Sequence, residues 1–451
     1  MTSHASIFRS SRGAGERLAS RPGAPLAAAD ADLPHDLQVH IEPGHAFQEV
    51  MGFGAAFTEA AAFALSRAPA EAQERILHEH FAADRHNYRL CRVHMGSCDF
   101  ALGNWSHVER EGDLALDSHS IDHDRRLLLP LVKRARAIAG DGLRIFASPW
   151  SPPGWMKTTG IMNRGGRLKA ECRDAWAQCY VRFIRAYEAE GVPIWGVTVQ
   201  NEPAASQPWD SCEYTAEEER DFIRDHLAPA LDGAGLSHVQ IIAWDHNRDV
   251  MVQRAAVYYA DAAVRKRLWG VGFHWYCADV FDNVRLTHDA WPDKHLLFTE
   301  GCQEGGPHPG SWDVAERYAT SMLNDLNRWT AGWVDWNLCL DSSGGPNHVG
   351  NLCSAPVLID AHDGAVQWNP SFAAIGHLSR FIRPGARRLL CASQRDHVHA
   401  GAFANPDGST AVVILNRGDG AHRLRIQLGR RCATMVEVPG HGMVTAVVPP
   451  A

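Results

Sequence analysis

The stretch IWGVTVQNEP, residues 194–203, ends an apolar, β-branched run with Gln200-Asn201-Glu202-Pro203. Such a run is typical of a strand that is buried on both faces of a parallel sheet. Polar residues and proline often close strands, so Glu202 has a purely structural explanation. A chemical explanation requires a second carboxylate that the fold brings to within a few ångströms of the first.

Seven further runs of this kind alternate with longer helical patterns along the chain. The eight runs are GFGAAF (52–57), YRLCRVHM (88–95), LRIFAS (143–148), IWGVTVQ (194–200), VQIIAW (239–244), GVGFHWY (270–276), HLLFTE (295–300) and AGWVDWN (331–337). Between them apolar residues recur three and four positions apart, and Thr215 and Asp122 are placed to cap two helices. Eight strands, each followed by a helix or a long loop, predict a (β/α)₈ TIM barrel of the α/β class.

The two ends of the chain have the pattern of antiparallel β-structure. Residues 36–50, DLQVHIEPGHAFQEV, alternate apolar and polar side chains and predict a strand pair, and short β-rich segments follow residue 385. We therefore expect an associated β-sandwich domain built from both termini. Its parts are residues 1–50 and 385–451, and the catalytic barrel is 51–384. The arginine-rich segment 382–388 is expected to be a solvated junction between the domains.

Composition and charge argue against several kinds of partner. The chain has 451 residues, of which 45% are hydrophobic and 21% charged, with a net charge of −8. The net negative charge argues against nucleic acid or an anionic membrane as a partner. No stretch approaches the roughly 20 apolar residues of a membrane span. Because the N-terminal segment lacks the apolar core of a signal peptide, we expect a cytoplasmic protein without stable membrane insertion.

Cysteine and histidine spacing gives no support for a metal site. The eleven cysteines form no CxxC pair and the 25 histidines no HExxH motif. An odd number of cysteines without a secretory signal is typical of reduced thiols. We expect neither a metal nor an organic cofactor.

Barrel enzymes carry their reactive groups at the C-terminal ends of strands, and here the fourth run leads into Glu202 while the seventh ends at Glu300. The other polar and aromatic residues at strand ends are Arg92, His94, Trp150, Asp245, His246, His274, Trp275, Tyr276, Trp336 and Asn337. Two glutamates among aromatic rings on one barrel rim predict glycoside hydrolysis, with one carboxylate as nucleophile and the other carboxyl as acid. Asn201, beside Glu202, is placed to hydrogen-bond the sugar 2-hydroxyl.

Motifs along almost the whole chain resemble those of glycoside hydrolase family 30, especially its glucosylceramidase-like branch. They include GFGAAFTEAAA (52–62), RVHMGSCDF (92–100), ASPWSPPGWMKTTG (147–160), VTVQNEP (197–203), FHWY (273–276), TEGC (299–302) and WVDWNLCLDSSGGPNHVGN (333–351). The resemblance implies retaining chemistry through a covalent glycosyl-enzyme intermediate, with Glu202 as acid/base and Glu300 as nucleophile. It also implies substrate contacts from Trp150, Asn201, Tyr276, Trp336 and Asn351, with Arg92 and His274 supporting the nucleophile.

Glu59 departs from the family pattern, since the branch usually has an aspartate where this chain reads GAAFTEAAA. Because Glu59 follows the first barrel strand, its carboxylate is expected to bind substrate at the closed end of the sugar pocket. There the longer side chain must either retract its carboxylate into a different rotamer or occupy part of the space of a C6 hydroxymethyl group, and discrimination against xylose should weaken. In the alternative interpretation Glu59 points into the wall and pairs with an arginine.

The expected activity is that of an exo-acting β-glycosidase hydrolysing β-glucosides such as glucosylceramide-like substrates. A β-xylosidase or a β-1,6-glucanase of the same family is the nearest alternative. A non-catalytic carbohydrate-binding barrel is more remote, because both glutamates are present. The expected partner is a carbohydrate or glycolipid substrate, and a role in carbohydrate or sphingolipid metabolism follows from the resemblance.

Overall fold

The computed structural model describes residues 3–450. It begins with three strands of the sandwich domain, β1 (His4–Ser11), β2 (Ala19–Pro25) and β3 (Leu37–Val50). The strand pair predicted within residues 36–50 is wrong, because β3 is one strand of 14 residues. Its Pro43-Gly44 segment does not turn the chain. The segment lies where the pairing of β3 with residues 386–393 shifts register.

Eight parallel strands then close into the barrel, which confirms the predicted fold class. They are β4 (Gly52–Phe57), β5 (Leu90–Met95), β6 (Arg144–Pro149), β7 (Gly196–Thr198), β8 (Gln240–Asn247), β9 (Leu268–His274), β10 (His295–Glu300) and β11 (Thr330–Asn337). Each strand pairs with the next in sequence, and β11 closes the circle by pairing in parallel with β4. The eight predicted runs all fall on these strands.

Eleven α-helices accompany the strands within residues 3–450. They are α1 (Glu59–Arg67), α2 (Ala70–Phe81), α3 (Leu128–Ala139), α4 (Arg173–Ala189), α5 (Ala216–Phe222), α6 (Ala228–Gly233), α7 (Met251–Ala260), α8 (Ala262–Arg267), α9 (Asp282–Ala290), α10 (Trp312–Leu326) and α11 (Pro370–Ser379). Short 3₁₀ turns occur at Gly154–Met156 and Ala170–Cys172, and a π-helical turn, Ile223–Leu227, joins α5 to α6.

One of the two predicted helix caps is confirmed. Thr215 caps α5 in a capping box, in which its side chain accepts from the Glu218 N–H and the Glu218 carboxylate accepts from the Thr215 N–H. Asp122 caps no helix, since residues 122–127 form turns and α3 begins only at Leu128. The carboxylate of Asp122 accepts instead from the guanidinium of Arg125, 2.6 Å away.

The chain ends in a small sheet and the rest of the sandwich. The strands are β12 (Leu340–Asp341), β13 (Val357–Ile359), β14 (Val366–Trp368), β15 (Ala386–Ser393), β16 (Val398–Ala404), β17 (Thr410–Asn416), β18 (His422–Leu428), β19 (Cys432–Val438) and β20 (Gly442–Val448). Nine strands form one sheet in the order β19-β18-β3-β15-β16-β17-β20-β1-β2, so both termini contribute to it. The sheet folds over, so that β19 contacts β2, β17 and β20 around a separate apolar core.

The arginine-rich segment at the domain junction is solvated in part, since Arg383 and Arg387 are exposed and Arg388 is buried. Arg388 lies in β15 and is only 7% exposed. Its Nε donates to Gln48, 2.9 Å away, and its guanidinium stacks 3.7 Å above the ring of Phe47. The barrel side of the junction is made by α10 and α11, which pack on β16 and β20. Within residues 3–450, every helix is too short or too polar to span a bilayer.

Candidate active site

The carboxyl ends of the barrel strands surround a cavity of about 220 Å³. Seven of the predicted site residues line it: Trp150, Asn201, Glu202, Tyr276, Glu300, Trp336 and Asn351. Eight further residues line it that were not assigned to the site from the sequence: Asp99, Gln207, Trp209, His246, Asn247, Cys302, Glu304 and Cys353. Most of these lie in loops after the strands, where apolar periodicity carries no signal.

Two glutamates face each other across this cavity. One carboxylate oxygen of Glu202, one of Glu300 and one ring nitrogen of His274 all lie within 4.8 Å of one another. Carboxyl groups of retaining glycosidases lie about 5–5.5 Å apart, whereas inverting enzymes need roughly 6.5–9.5 Å to admit a water. An oxygen–oxygen approach within 4.8 Å is compatible with the shorter spacing of retaining enzymes.

Glu300 ends β10 and is held by two short hydrogen bonds. Arg92 Nη1 donates to Oε2 at 2.6 Å, and the hydroxyl of Tyr276 donates to Oε1 at 2.9 Å. The carboxylate is 5% exposed, so water contributes little to its solvation. Two donors of this kind, one of them charged, favour the ionised form of a carboxyl group.

Arg92 extends from β5 under the cavity and is fully buried. Besides Glu300 it donates to Ser148 at 2.9 Å, to Asn201 Oδ1 at 2.9 Å and to Asp245 at 2.7 Å. Its guanidinium also lies 4.5 Å from the ring centroid of Trp150. One planar side chain therefore fixes groups from the ends of four strands, β6, β7, β8 and β10, which a flexible lysine could not do.

Glu202 follows β7 and has longer, weaker contacts. His274 Nδ1 lies 3.3 Å from Oε1, Gln207 Nε2 lies 3.5 Å from Oε2, and His246 Nε2 lies 3.8 Å from Oε1. The backbone of Glu202 has φ of 47°, a left-handed conformation that non-glycine residues adopt rarely and that clusters at functional sites. The carboxyl group is thus exposed to the cavity with few fixed partners.

His274 binds to Asp245 on its other side, with Nε2 2.9 Å from Oδ1. Burial opposes protonation of the imidazole, but Glu300, Asp245 and Glu202 outweigh it and raise the pKa of His274 to about 9. Burial also raises the pKa of Asp245, yet the charge of Arg92 and the bond from His274 bring it well below the usual range. The site therefore contains an imidazolium and a guanidinium among three carboxyl groups.

The two glutamates compete for these positive neighbours and take up protons as a pair. Burial raises the pKa of Glu300 further than His274 and Arg92 lower it. Burial acts on Glu202 too, but His246 and His274 outweigh it and lower the pKa of that group. These directions are opposite to those that an acid at Glu202 and a nucleophile at Glu300 require. The short bonds from Arg92 and Tyr276 favour an ionised Glu300. Glu202 has no bond shorter than 3.3 Å, so the hydrogen bonds favour the assignment of Glu202 as the protonated acid.

Asp99 is a buried carboxyl group in the cavity wall that sequence reasoning missed, although it stands in the motif RVHMGSCDF. Its Oδ2 accepts from Asn351 at 3.0 Å and from Asn347 at 3.2 Å. Burial and the nearby charge of Glu300 raise the pKa of Asp99 to about 8. Across the cavity Trp150 and Trp336 stack on each other at 4.9 Å.

Glu59 is not among the cavity-lining residues, so the structure does not bring this predicted substrate contact to the site. Its carboxylate contacts His123 Nε2 at 2.7 Å and accepts from the Leu102 N–H at 3.0 Å and the Trp105 indole at 3.3 Å. It points into the wall, where it pairs with a histidine rather than an arginine. Arg92 and His274 were both predicted to support Glu300. Arg92 contacts Glu300 at 2.6 Å, whereas His274 lies 3.3 Å from Glu202 and 2.9 Å from Asp245.

Glu202, His274 and Glu300 are the residues of this site that could hold a metal ion, because their ligand atoms are close together. The guanidinium of Arg92, 2.6 Å from Glu300, already places a positive charge at this position. Hydrolysis by two carboxyl groups does not need the further charge that an ion would bring.

Residues 50–382 match the glycosyl hydrolase family 30 TIM-barrel domain, and residues 385–446 match the glycosyl hydrolase family 30 beta sandwich domain. The chain belongs to glycoside hydrolase family 30. It is therefore a glycosidase with a carbohydrate or glycolipid substrate, and the resemblance drawn from its motifs is confirmed.

Three relatives place the chain within this family. It is 34% identical to the lysosomal acid glucosylceramidase of Mus musculus over 400 residues, which cover 84% of this chain and 77% of the relative. The structure of SrfJ from Salmonella typhimurium superposes with a TM-score of 0.95 at 35% identity, covering 99% of this chain and 100% of that one. The endo-beta1,6-glucanase BT3312 gives a TM-score of 0.88 at 27% identity, with the same coverage.

Proposed function

We propose that this protein is an exo-acting, retaining β-glucosidase whose substrates are glucosylceramide-like β-glucosides. The observation that carries the proposal is the pair Glu202 and Glu300, within 4.8 Å of each other in a small cavity. A volume of about 220 Å³ is below the roughly 300–1,000 Å³ of pockets that hold drug-sized ligands. It suits one sugar unit, as an exo-acting enzyme requires.

In the first step Glu300 attacks the anomeric carbon while Glu202 gives its proton to the departing glycosidic oxygen. A glycosyl ester forms on Glu300 and the alcohol leaves. In the second step Glu202 removes a proton from water, which attacks the same carbon and releases the sugar with its original configuration. Arg92 and Tyr276 keep Glu300 ionised and aimed, since each donates to a different carboxylate oxygen.

Asn201 and Asp99 are the polar groups that orient the sugar. Arg92 fixes the Asn201 Oδ1 at 2.9 Å, so the Nδ2 of this amide is the group free to face the sugar. Asp99 lies beside Asn351 at the same cavity, where both can bind hydroxyl groups. The stacked rings of Trp150 and Trp336 supply an apolar wall for the C–H groups of a pyranose.

Similarity to the mouse glucosylceramidase supports a glucosylceramide-like aglycone. Similarity to the endo-beta1,6-glucanase BT3312 favours a second candidate, hydrolysis of β-1,6-glucan. Both candidates cleave a β-linked glucose and use the same two glutamates. They differ in the group that lies on the leaving-group side, near Gln207 and His246.

A substrate panel tests the proposal. Values of kcat/KM are measured for nitrophenyl β-glucoside, β-xyloside and β-galactoside, for a short-chain glucosylceramide and for a β-1,6-linked glucan. We expect the glucoside to exceed the xyloside at least tenfold, and the ceramide glucoside to be hydrolysed faster than the glucan. No turnover of any β-glucoside contradicts the enzyme assignment. Preference for the xyloside contradicts the assignment of glucose as the sugar that is bound. Rapid cleavage inside the glucan chain favours the second candidate.

A further inference from the structure

A second cavity lies at the opposite end of the barrel from the two glutamates. Its volume is about 370 Å³, larger than that of the catalytic cavity. Trp269, His295 and Ala331 line it from the N-terminal ends of β9, β10 and β11. Residues 47–49 of β3 and Arg387 of β15 line it from the sandwich domain. We call this cavity the junction cleft.

Two partly exposed tryptophans, Trp269 and Trp329, belong to the junction cleft. Within residues 3–450 neither indole N–H has a hydrogen-bond partner, and neither is buried away from solvent. Trp150 and Trp336 in the catalytic cavity share this property. An accessible indole offers both an apolar face and a polar donor, which is why such rings occur at binding sites.

Neighbouring side chains hold both rings in place. His295 stacks on Trp269 with ring centroids 4.5 Å apart, and His288 stacks on Trp329 at 3.7 Å. Phe47 meets the edge of Trp329 at 5.4 Å and lies 3.7 Å from the guanidinium of Arg388. The rings therefore need little ordering when a ligand binds, which lowers the entropy cost of binding.

The backbone of Trp329 supports a role for its side chain. Its φ of 76° is in the left-handed region, which is uncommon and strained for a bulky residue. Such a position between a helix and a strand is usually occupied by glycine or asparagine. The chain keeps a tryptophan there, directed into the cleft.

The charges around the junction cleft balance. Glu49 and Asp293 oppose Lys294 and Arg387, and burial lowers the pKa of His288 and His295, which favours their neutral forms. A lining of this kind favours a neutral ligand that has many hydroxyl groups over a phosphate, a nucleic acid or a lipid headgroup. Apolar ring faces beside polar donors match the two sides of a β-linked pyranose.

We propose that the junction cleft is a second carbohydrate-binding site, which holds a short β-linked gluco-oligosaccharide against Trp269 and Trp329. Such a site would keep the enzyme on a glycan surface while the catalytic cavity, at the other end of the barrel, hydrolyses a terminal sugar. Binding here does not depend on the identity of the substrate or on turnover.

The test uses ¹⁹F NMR of the full chain labelled with 5-fluorotryptophan and carrying Glu300→Gln, so that the probe is not hydrolysed. The probe is gentiotriose, and sorbitol is the control for a polyol without a sugar ring. Signals are assigned by Trp269→Phe and Trp329→Phe. Trp291, which does not line the cleft, is the internal reference. We expect saturable shifts of the Trp269 and Trp329 signals with gentiotriose but not with sorbitol.

Two variants separate the cleft from the catalytic cavity. Trp150→Ala should weaken binding in the catalytic cavity and leave the cleft shifts unchanged. In the labelled Glu300→Gln protein, Trp269→Ala should weaken binding at Trp329 about tenfold or more. In a separate protein with Glu300 intact, Trp269→Ala should leave kcat/KM for a nitrophenyl β-glucoside within about twofold of wild type. If Trp269→Ala does not fold, the shifts of Trp269 and Trp329 in the protein with an unaltered cleft still test binding.

Four results would overturn the proposal. Three of them are no shift at either tryptophan up to the solubility of gentiotriose, equal shifts with sorbitol, and loss of the cleft shifts in Trp150→Ala. A shift that depends on protein concentration instead of gentiotriose would assign the cleft to contact between copies of the chain, and it would overturn the proposal too.

Discussion

His274 and Asp245 share a hydrogen bond of 2.9 Å, and this contact orients a buried imidazole whose other nitrogen lies 3.3 Å from Glu202. Asp245 in turn accepts from Arg92, which also holds Glu300. Both glutamates are therefore connected to one buried carboxylate that does not line the cavity. Charge at either glutamate is transmitted to the other through this set of bonds, so the pair should be studied as a unit.

The first prediction assigns the roles of the two glutamates. Glu300→Ala should lower kcat by roughly three to six orders of magnitude with every substrate, since no glycosyl ester can form. Azide added to Glu300→Ala should restore part of the rate. The product from a β-glycoside should then be the α-glycosyl azide, whose inverted configuration is detected by NMR. Glu202→Ala is the matched control, and it should retain glycosylation of dinitrophenyl glycosides, whose leaving group needs no proton. Near-normal activity of Glu300→Ala would show that another group is the nucleophile.

The second prediction concerns Arg92. Arg92→Met leaves the buried Asp245 with His274 as its remaining charged partner and removes a charge from Glu300, so the free energy of unfolding should fall by about 3 kcal/mol. It should also lower kcat/KM by about two orders of magnitude or more, because Glu300 loses its shortest hydrogen bond. Urea unfolding and steady-state kinetics measure the two effects.

Arg248 provides the matched control for this experiment. It is 1% exposed and pairs with Asp325 at 3.4 Å, and it does not line the catalytic cavity. Arg248→Met should destabilise the fold while kcat/KM stays within a few-fold of wild type. An equal loss of kcat/KM in both variants would show that Arg92 affects activity only by stabilising the fold.

The third prediction follows from the protonation of His274. Its pKa is about 9 in the folded protein, above the value of about 6.5 of an unfolded histidine. The stability from this proton is fully present below pH 6.5 and is lost as the pH rises through about 9. Wild type should therefore lose a few kcal/mol of unfolding free energy across this range, measured by urea unfolding, and His274→Gln should lose less. Parallel pH curves for the two proteins would contradict a protonated His274.

The barrel and the two glutamates could be predicted because their signals are local. Each barrel strand is a short apolar run, and Glu202 and Glu300 stand where such runs end. Contacts between distant loops leave no such signal. Asp99 belongs to the site only because residues 347–351 fold back over it, and Glu59 leaves the site because His123, 64 positions away, binds its carboxylate. The single strand β3 was missed since Pro-Gly usually predicts a turn, and only its pairing with β15 shows otherwise.

The fourth prediction concerns Glu59. Because its carboxylate is occupied by His123, Leu102 and Trp105, Glu59→Asp should weaken these bonds and cost about 1–3 kcal/mol of unfolding free energy. The ratio of kcat/KM for glucoside and xyloside should not change. Glu59→Gln is the companion variant, since it keeps the length and removes the charge. A changed sugar ratio in Glu59→Asp would return this residue to the substrate site.

The last prediction separates stability from activity at Asp99. Its pKa of about 8 is above the value of about 3.9 in an unfolded chain, so the folded protein holds one more proton between these values and loses stability as the pH rises. Asp99→Asn keeps the shape of the side chain and removes this penalty.

We therefore expect Asp99→Asn to raise the free energy of unfolding at pH 7.5 by about 1 kcal/mol or more, measured with urea. The same variant should lower kcat/KM for the β-glucoside by roughly one to two orders of magnitude, because an amide binds a sugar hydroxyl less strongly than a carboxyl group that can ionise. Gains of stability at the cost of activity are typical of residues kept for function. Asp325 gives the control, since burial raises its pKa to about 6 outside the cavity. Asp325→Asn should leave kcat/KM unchanged. If Asp99→Asn were less stable and fully active, Asp99 would be a structural residue of the cavity wall.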